Sequence, residues 1–247
     1  MVNIIELQNV SKIYRMGTEK VVALNNINLN IEPGDFCCLL GTSGSGKSTL
    51  LNLMAGLEKP TKGQIRIKDK QVEAMTEKQL TGFRQKYIGF VFQSYNLLPT
   101  LTALENVELP LVFKGIPKNK RKKEAAAMLK AVGLGDRLHH KPSQMSGGQQ
   151  QRVGIARAFI GNPEIIFADE PTGNLDSRTT REIMELISSI AQKNKQTVVL
   201  VTHETELSQY ADKIINIRDG TIEKVQINTN KKTIGGAQCA ERKQMDE

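Results

Sequence analysis

The sequence is poor in aromatic residues and has no long apolar run. It contains no tryptophan, and aromatic residues make up only 4% of its 247 residues. Hydrophobic residues still reach 39%, so leucine, isoleucine and valine must fill the core. The length suits one large α/β domain or a core with an inserted lobe. No stretch approaches the roughly 18 consecutive apolar residues of a membrane-spanning helix, and we expect a chain that does not itself cross a membrane.

Cysteine is also scarce, which argues against a cysteine-based metal site or a disulfide framework. The three cysteines are Cys37, Cys38 and Cys239. They show no zinc-site spacing, and their small number fits a reducing compartment. Residues 1–6 lack the basic and apolar regions of a signal peptide. These features predict a cytosolic chain.

The net charge of +8 is unevenly distributed. Six basic side chains crowd into ten residues: Lys114, Lys118, Lys120, Arg121, Lys122 and Lys123. Such a run can attract nucleic acid or an anionic membrane surface, but a solvated face at the start of a helix explains it equally well. No aromatic residue interleaves the run, which weakens the interpretation as a single-strand nucleic-acid site. We expect no nucleic-acid partner.

One glycine-rich stretch has the phosphate-binding loop pattern G-x-x-x-x-G-K-[ST], known as Walker A. Its residues are Gly41, Thr42, Ser43, Gly44, Ser45, Gly46, Lys47, Ser48 and Thr49. The glycines allow backbone N–H groups to close around phosphate oxygens at a helix N-terminus. Lys47 would reach the β- and γ-phosphates, and the Ser48 hydroxyl would bind Mg²⁺. The loop therefore predicts binding of a nucleoside triphosphate, with Mg²⁺ as cofactor.

The surrounding patterns predict an α/β fold around this loop. An apolar strand, Phe36–Leu40, precedes the loop. Apolar residues at helical spacing follow it, namely Leu50, Leu51, Leu53, Met54 and Leu57. Alternating segments at 21–31 and 64–68 indicate half-buried strands of an antiparallel sheet on both sides of the loop in sequence. Residues 197–202 form a nearly continuous apolar strand, typical of a parallel sheet that is covered on both faces.

The region from about 94 to 159 has helical character, with its clearest helix at 122–132 and another helix expected at 150–160. We interpret it as an inserted lobe. The predicted fold is a P-loop NTPase (RecA-like) core with a mainly parallel sheet, an antiparallel β subdomain and an inserted helical subdomain. The core comprises residues 1–93 and 160–225 of a domain that spans 1–225. Residues 226–247 are polar and predict a loose C-terminal extension.

Two adjacent carboxylates follow a second apolar strand. Residues 165–168 are Ile-Ile-Phe-Ala, and Asp169 and Glu170 come next. This is the Walker B pattern. Asp169 at the strand tip can bind Mg²⁺, and Glu170 can act as general base for the water that attacks the γ-phosphate. The pair predicts hydrolysis of the bound triphosphate.

A further motif begins at residue 146 and resembles the signature of the ATP-binding-cassette (ABC) ATPases. Its residues are Ser146, Gly147, Gly148 and Gln149, followed by Gln150, Gln151 and Arg152. The family form begins with leucine, so Met145 is a departure that keeps an apolar side chain of similar volume. A serine hydroxyl and glycine N–H groups ahead of a helix form a second anion site. In the family, this site closes over the γ-phosphate that the opposite subunit holds.

The resemblance covers roughly residues 2 to 225 and implies roles for four other side chains. Tyr14 resembles the aromatic residue that stacks on adenine. Gln93 resembles the glutamine that senses Mg²⁺ and the attacking water, and would contribute to the metal site. Asp176 resembles a residue of the D-loop, which crosses to the partner subunit. His203 resembles the switch histidine that contacts the γ-phosphate and assists catalysis.

The segments 89–99 and 168–176 are most similar to the branch of macrolide exporters, lipoprotein-release systems and FtsE-like cell-division ATPases. The resemblance implies two partners, a second copy of the chain in an ATP sandwich and an integral membrane permease. It also implies a peripheral location on the cytoplasmic side of the cell membrane, with contact to the membrane surface through the complex. A regulatory ATPase of a non-transporting, cell-division-type complex is the alternative. A soluble ABC protein acting on nucleic acid is disfavoured, because such relatives typically carry two cassettes or a long coiled coil.

Overall fold

The fold consists of two sheets with helices around them. The structure is a computed structural model and describes residues 3–17, 19–229, 231 and 232. The strands are β1 (Ile5–Met16), β2 (Glu19–Ile31), β3 (Phe36–Leu40), β4 (Lys62–Ile67), β5 (Lys70–Gln71), β6 (Ile88–Phe92), β7 (Ile165–Asp169), β8 (Thr197–Thr202), β9 (Lys213–Arg218) and β10 (Thr221–Ile227). The α-helices are α1 (Lys47–Met54), α2 (Glu77–Tyr87), α3 (Ala103–Phe113), α4 (Lys118–Ala131), α5 (Gly147–Phe159) and α6 (Ser177–Asn194).

The larger sheet has six strands in the order β10-β9-β3-β8-β7-β6. Its neighbours pair in parallel except for the β9–β10 hairpin, which is antiparallel. All six residues of β8 are buried, as expected for a central parallel strand that has apolar packing on both faces. Because the parallel strands point the same way, their carboxyl ends share one edge of the sheet, and the polar motifs follow at that edge.

The smaller sheet is antiparallel, with the strand order β2-β1-β4-β5. Ile27, Leu29 and Ile31 of β2 are buried, which confirms the alternation seen in the sequence. Strand β1 runs on to residue 16, through a stretch whose sequence showed no strand pattern. Shifts in its register against β2, beginning between Leu7 and Val10, break the alternation there.

Helices α3, α4 and α5 pack together around their own apolar cluster, which includes Val107, Leu129 and Val153. Met145 is buried in the same cluster, so the departure from the family's leucine keeps an apolar contact. Helix α4 begins four residues before the predicted start, and five of the six basic residues of the run, all but Lys114, therefore occupy its first turns. This confirms that residues 94–159 contain helices, while the proposed domain boundaries stay predictions.

One sequence expectation at the end of an element is wrong. Helix α1 ends at Met54, so Leu57 does not continue the helical face and is 47% exposed. Gly56, with φ 63°, turns the chain just after the helix. Strand β10 ends at Ile227, and the domain boundary at 225 stays a prediction. Lys232 in the next segment bonds to Glu185 of α6 at 2.9 Å, while residues 230 and 233–247 of the predicted extension lie outside the described residues.

Candidate nucleotide-binding site

The glycine-rich loop connects the end of β3 to the start of α1. Gly44 and Gly46 have positive φ values of 80° and 102°, which favour glycine. A Cβ on Gly46 would lie 2.6 Å from the Ala23 carbonyl oxygen, and one on Gly41 would lie 2.3 Å from that of Ile217. Since no larger residue fits at either position, the loop packs against the neighbouring strands and leads directly into a helix N-terminus.

Two polar side chains of the loop are buried within it. Lys47 is 5% exposed, and its Nζ donates a hydrogen bond to the Thr42 carbonyl oxygen at 2.7 Å. The amine therefore reaches back across the loop from the first residue of α1. The Ser45 hydroxyl is buried with no hydrogen-bond partner among the described residues. A buried ammonium, an unpaired hydroxyl and a helix N-terminus together fit a phosphate group.

The carboxylates predicted at 169 and 170 lie beside this loop. The Ser48 hydroxyl donates to Oδ1 of Asp169, the last residue of β7, at 3.3 Å. Burial raises the pKa of Asp169, the Ser48 hydrogen bond opposes that rise, and the neighbouring charge of Glu170 adds to it. A hydroxyl and a carboxylate oxygen suit Mg²⁺, which binds through one or two carboxylates, water and substrate phosphates. The described residues contain no cluster of three or more acidic, histidine or cysteine side chains for a metal.

Glu170 and His203 come together from two neighbouring strands. Nδ1 of His203 lies 3.0 Å from Oε1 of Glu170. Glu170 has a positive φ of 42°, and its N–H donates to the Val201 carbonyl oxygen at 3.0 Å. This left-handed conformation costs of the order of 1 kcal/mol for a residue other than glycine. The bond to β8 holds the carboxylate at the strand edge in spite of that cost.

An open cleft of about 630 Å³ lies between these side chains and the glycine-rich loop. Its lining residues are Leu40, Gly41, Thr42, Ser43, Glu170, His203, Thr205 and Asn216. The sequence patterns did not indicate Thr205 or Asn216. Asn216 could have been found from strand register, because it pairs with Leu40 across the β3–β9 ladder. The structure thus brings the two predicted catalytic residues and the phosphate loop to one cleft.

Gln93 lies next to the carboxylates. It follows Phe92, which pairs with Asp169 across β6 and β7. A Cβ on Gly173 would lie 2.7 Å from the Gln93 side-chain nitrogen, so that glycine leaves room for the glutamine. The Asn174 side chain donates to the Gln93 carbonyl oxygen at 3.2 Å. The role of Gln93 as a sensor and metal-site residue stays a prediction.

Tyr14 is half-buried near the end of β1. Its hydroxyl donates to Oε2 of Glu58 at 2.7 Å, and Lys12 Nζ lies 5.0 Å from the centre of its ring. Burial raises the pKa of Tyr14, and the bond to Glu58 adds to the rise, whereas a contact with Thr49 of the phosphate loop opposes it. The side chain is therefore adjacent to the loop. Stacking on adenine stays a prediction.

The signature residues and Asp176 form helix caps. The Ser146 hydroxyl accepts a hydrogen bond from the Gln149 N–H at 3.3 Å, and the Gln149 side chain accepts from the Ser146 N–H at 3.0 Å. This capping box starts α5 at Gly147, three residues before the helix start predicted from periodicity. Asp176 caps α6 by accepting from the N–H groups of Arg178 and Thr179. Within the described part of the chain, no hydrogen bond or ion pair joins these caps to the phosphate loop.

Comparisons with known proteins agree with this arrangement. A family model described as ABC transporter matches residues 24–173. An uncharacterized ABC transporter ATP-binding protein of Methanocaldococcus jannaschii is 54% identical over 218 residues, 88% of this chain and 97% of that protein. The macrolide export ATP-binding/permease protein MacB of Syntrophobacter fumaroxidans is 47% identical over 223 residues, which span 90% of this chain but only 31% of MacB.

A solved structure of similar fold contains two cassettes. It is the dimeric post-hydrolysis state of the ATP-binding cassette MJ0796 bound to ADP and Pi. The TM-score is 0.84 at 47% identity, and the match covers 90% of this chain and 98% of that chain. The family match over more than half of the sequence, together with these relatives, shows that the chain belongs to the ABC transporter family as an ATP-binding ATPase subunit.

Proposed function

We propose that this chain powers a separate membrane permease through ATP-driven closure of two copies, with export as the direction of transport. The observation that carries the proposal is the separation of two half-sites within one chain. The phosphate loop, Glu170 and His203 line one cleft, and Asp169 bonds to Ser48 of the same loop. Among the described residues, the Ser146 cap makes no hydrogen bond or ion pair to the phosphate loop. A site that needs both halves must take its signature from another subunit.

The residues of the cleft have distinct parts in hydrolysis. Lys47 releases the Thr42 carbonyl and binds phosphate oxygens, while Ser48 and Asp169 would hold Mg²⁺, which neutralises phosphate charge when bound. Glu170 accepts a proton from the attacking water. The contact of Glu170 with Nδ1 of His203 orients the imidazole, leaving its other nitrogen free to contact the γ-phosphate.

The second copy would supply the missing half of each site. The cassette MJ0796 is dimeric in its solved structure with ADP and Pi, and its fold matches this chain over nearly its full length. The Ser146 hydroxyl is compatible with such a role, because it accepts the capping hydrogen bond and keeps its own proton to donate. The exposed N-terminus of α5 adds backbone N–H groups.

The permease would dock beside the helical lobe. A cleft of about 210 Å³ lies between β6 and the lobe, and its lining includes Phe90, Phe92 and Pro110. At the end of α3, Phe113 is 65% exposed, and such exposed apolar side chains mark interaction surfaces when they adjoin a groove. The relative MacB is described as one protein that is both ATP-binding and permease. No helix of the described residues is long and apolar enough to span a membrane.

Fractionation of cells that express the chain with its permease tests this docking. We expect the wild-type chain in the membrane fraction and Phe113→Asp in the soluble fraction, with the ATPase activity of the purified variant unchanged. Ile227→Asp is the matched control, since Ile227 is 70% exposed on β10, and it should remain with the membrane. Equal membrane recovery of Phe113→Asp would contradict the proposed docking face.

A further inference from the structure

A fully buried glutamine of the signature helix, Gln151, connects three segments of the nucleotide site. Its side-chain nitrogen donates to the Phe92 carbonyl oxygen at 3.3 Å and also to the Pro171 carbonyl oxygen. Phe92 immediately precedes Gln93, and Pro171 immediately follows Glu170. One amide group in α5 therefore holds the backbone on either side of the proposed sensor and general base.

The orientation of this amide leaves one of its atoms without a partner. The two carbonyl acceptors require the nitrogen to face them, and the side-chain oxygen is then buried with no hydrogen bond among the described residues. A buried unpaired polar atom is unfavourable, and an apolar residue would avoid it. Buried polar atoms are normally paired, and the exceptions tend to lie at functional sites. An unpaired oxygen beside the proposed general base therefore indicates a functional reason for the amide.

A second side chain of α5 strengthens the same connection. The Arg157 guanidinium donates to the carbonyl oxygens of Tyr95 at 2.8 Å and Asn96 at 2.5 Å. Both of these residues have positive φ, 60° and 48°, so the loop after Gln93 has an unusual conformation that the arginine holds. Burial lowers the pKa of Arg157. Helix α5 thus holds the first residues of this loop through two side chains, Gln151 and Arg157.

We propose that Gln151 is a positioning residue that couples the position of the signature helix to the geometry of Gln93 and Glu170 in the same chain. When a second subunit's nucleotide binds at the N-terminus of α5, any movement of this helix is transmitted through the amide to the two carbonyls. The inference rests on the proposed two-subunit function and deepens it, because it names how closure would align the general base.

Two matched substitutions test this proposal. Gln151→Met keeps a side chain of similar length and removes both long-range hydrogen bonds. Gln150→Met makes the same chemical change one residue away, where the amide bonds, among the described residues, only to the nearby Met145 carbonyl oxygen at 3.1 Å. Gln151→Asn is a second variant that keeps an amide but withdraws it from the carbonyls by about 1.5 Å, one carbon–carbon bond.

We expect kcat of Gln151→Met and Gln151→Asn to fall about tenfold or more, because small displacements of catalytic groups have large kinetic effects. Their affinity for ATP as monomers should stay within about twofold of wild type, as should kcat of Gln150→Met. In a Glu170→Gln background, Gln151→Met should also weaken ATP-dependent dimer formation.

Two outcomes would overturn the proposal. One is an unchanged kcat for Gln151→Met. The other is a parallel loss of kcat, ATP affinity and Tm in both Gln151 variants, which would make the residue merely structural. Failure of the proposed function itself would be recognised separately, because the wild-type chain would then show no ATP-dependent dimer in the Glu170→Gln form.

Discussion

The two halves of the nucleotide machinery differ in how far one chain assembles them. In the half around the phosphate loop, Ser48 contacts Asp169 at 3.3 Å and His203 contacts Glu170 at 3.0 Å, although these pairs are far apart in sequence. In the half around the signature, Ser146 and Gln149 bond to each other at the start of their own helix. In the proposed function, the first half is a reaction site that one chain assembles, and the second is a surface that binds the nucleotide held by another subunit.

In the proposed function, this difference explains why one chain would not hydrolyse ATP on its own. The phosphate loop would hold a nucleotide without help, but the helix N-terminus that would complete its electrostatic environment lies elsewhere on the same molecule. Closure by a second copy would supply that N-terminus. Substitutions in the loop half should therefore affect single-chain properties, whereas substitutions at the signature should affect only properties of the pair.

The largest effect is expected at Glu170. Glu170→Gln keeps the side-chain shape but cannot accept a proton from water, and loss of a general base lowers kcat by about 10²- to 10⁴-fold. ATP binding should persist, and the variant should accumulate as an ATP-bound dimer. Phosphate release measures kcat, and sedimentation measures the ATP-bound dimer. The control is Glu206→Gln, which changes an exposed glutamate beyond β8. If Glu170→Gln hydrolysed ATP as fast as this control variant, Glu170 would not be the general base.

Substitutions should distinguish the roles of the two ring nitrogens of His203. His203→Gln can place an amide near the position of Nε2, while His203→Asn can place one near Nδ1, which contacts Glu170. Loss of one preorganised donor to a developing phosphate charge costs about 100-fold in kcat. We expect His203→Asn to lose that much and His203→Gln to lose less. Steady-state phosphate release measures both, and the reverse ranking would show that the contact with Glu170 carries the effect.

A smaller effect is expected at Tyr14. Removing the ring in Tyr14→Ala should weaken ATP affinity about three- to tenfold, since aromatic stacking contributes about 0.5–1.5 kcal/mol. Tyr14→Phe keeps the ring and removes only the hydroxyl, with its contacts to Glu58 and Thr49, so its affinity should stay near wild type. Calorimetric titration with ATP and with a ribose triphosphate that lacks the base distinguishes stacking from a structural loss. Equal weakening toward both ligands would argue against stacking.

Continuous apolar strands were the most predictable part of the fold. Strands β3 and β8 have the limits expected from sequence, because their side chains are almost wholly apolar and polar or turn residues bound them. Helix starts were less predictable. Helix α5 begins at Gly147 through a capping box, and periodicity alone misses glycines at a helix start because they carry no apolar side chain.

The site motifs could be predicted, but most of their connections could not. The loop, the carboxylate pair and His203 are local patterns, and the structure confirms that they meet. The bonds of Tyr14 to Glu58 and of Gln151 to Phe92 join residues far apart in sequence. Such contacts depend on the packing of whole elements against one another, and a single sequence carries no local pattern for them.

Sedimentation of a Ser146 variant tests the division between the two halves most directly. Aspartate is as good a helix cap as serine, so Ser146→Asp should preserve α5 while placing a carboxylate where the partner's phosphate must bind. In a Glu170→Gln background, we predict unchanged ATP affinity of the monomer and loss of the ATP-dependent dimer. Ser146→Thr, which keeps both the cap and the hydroxyl proton, should still dimerise. An ATP-dependent dimer of equal stability in the Ser146→Asp chain would contradict the account.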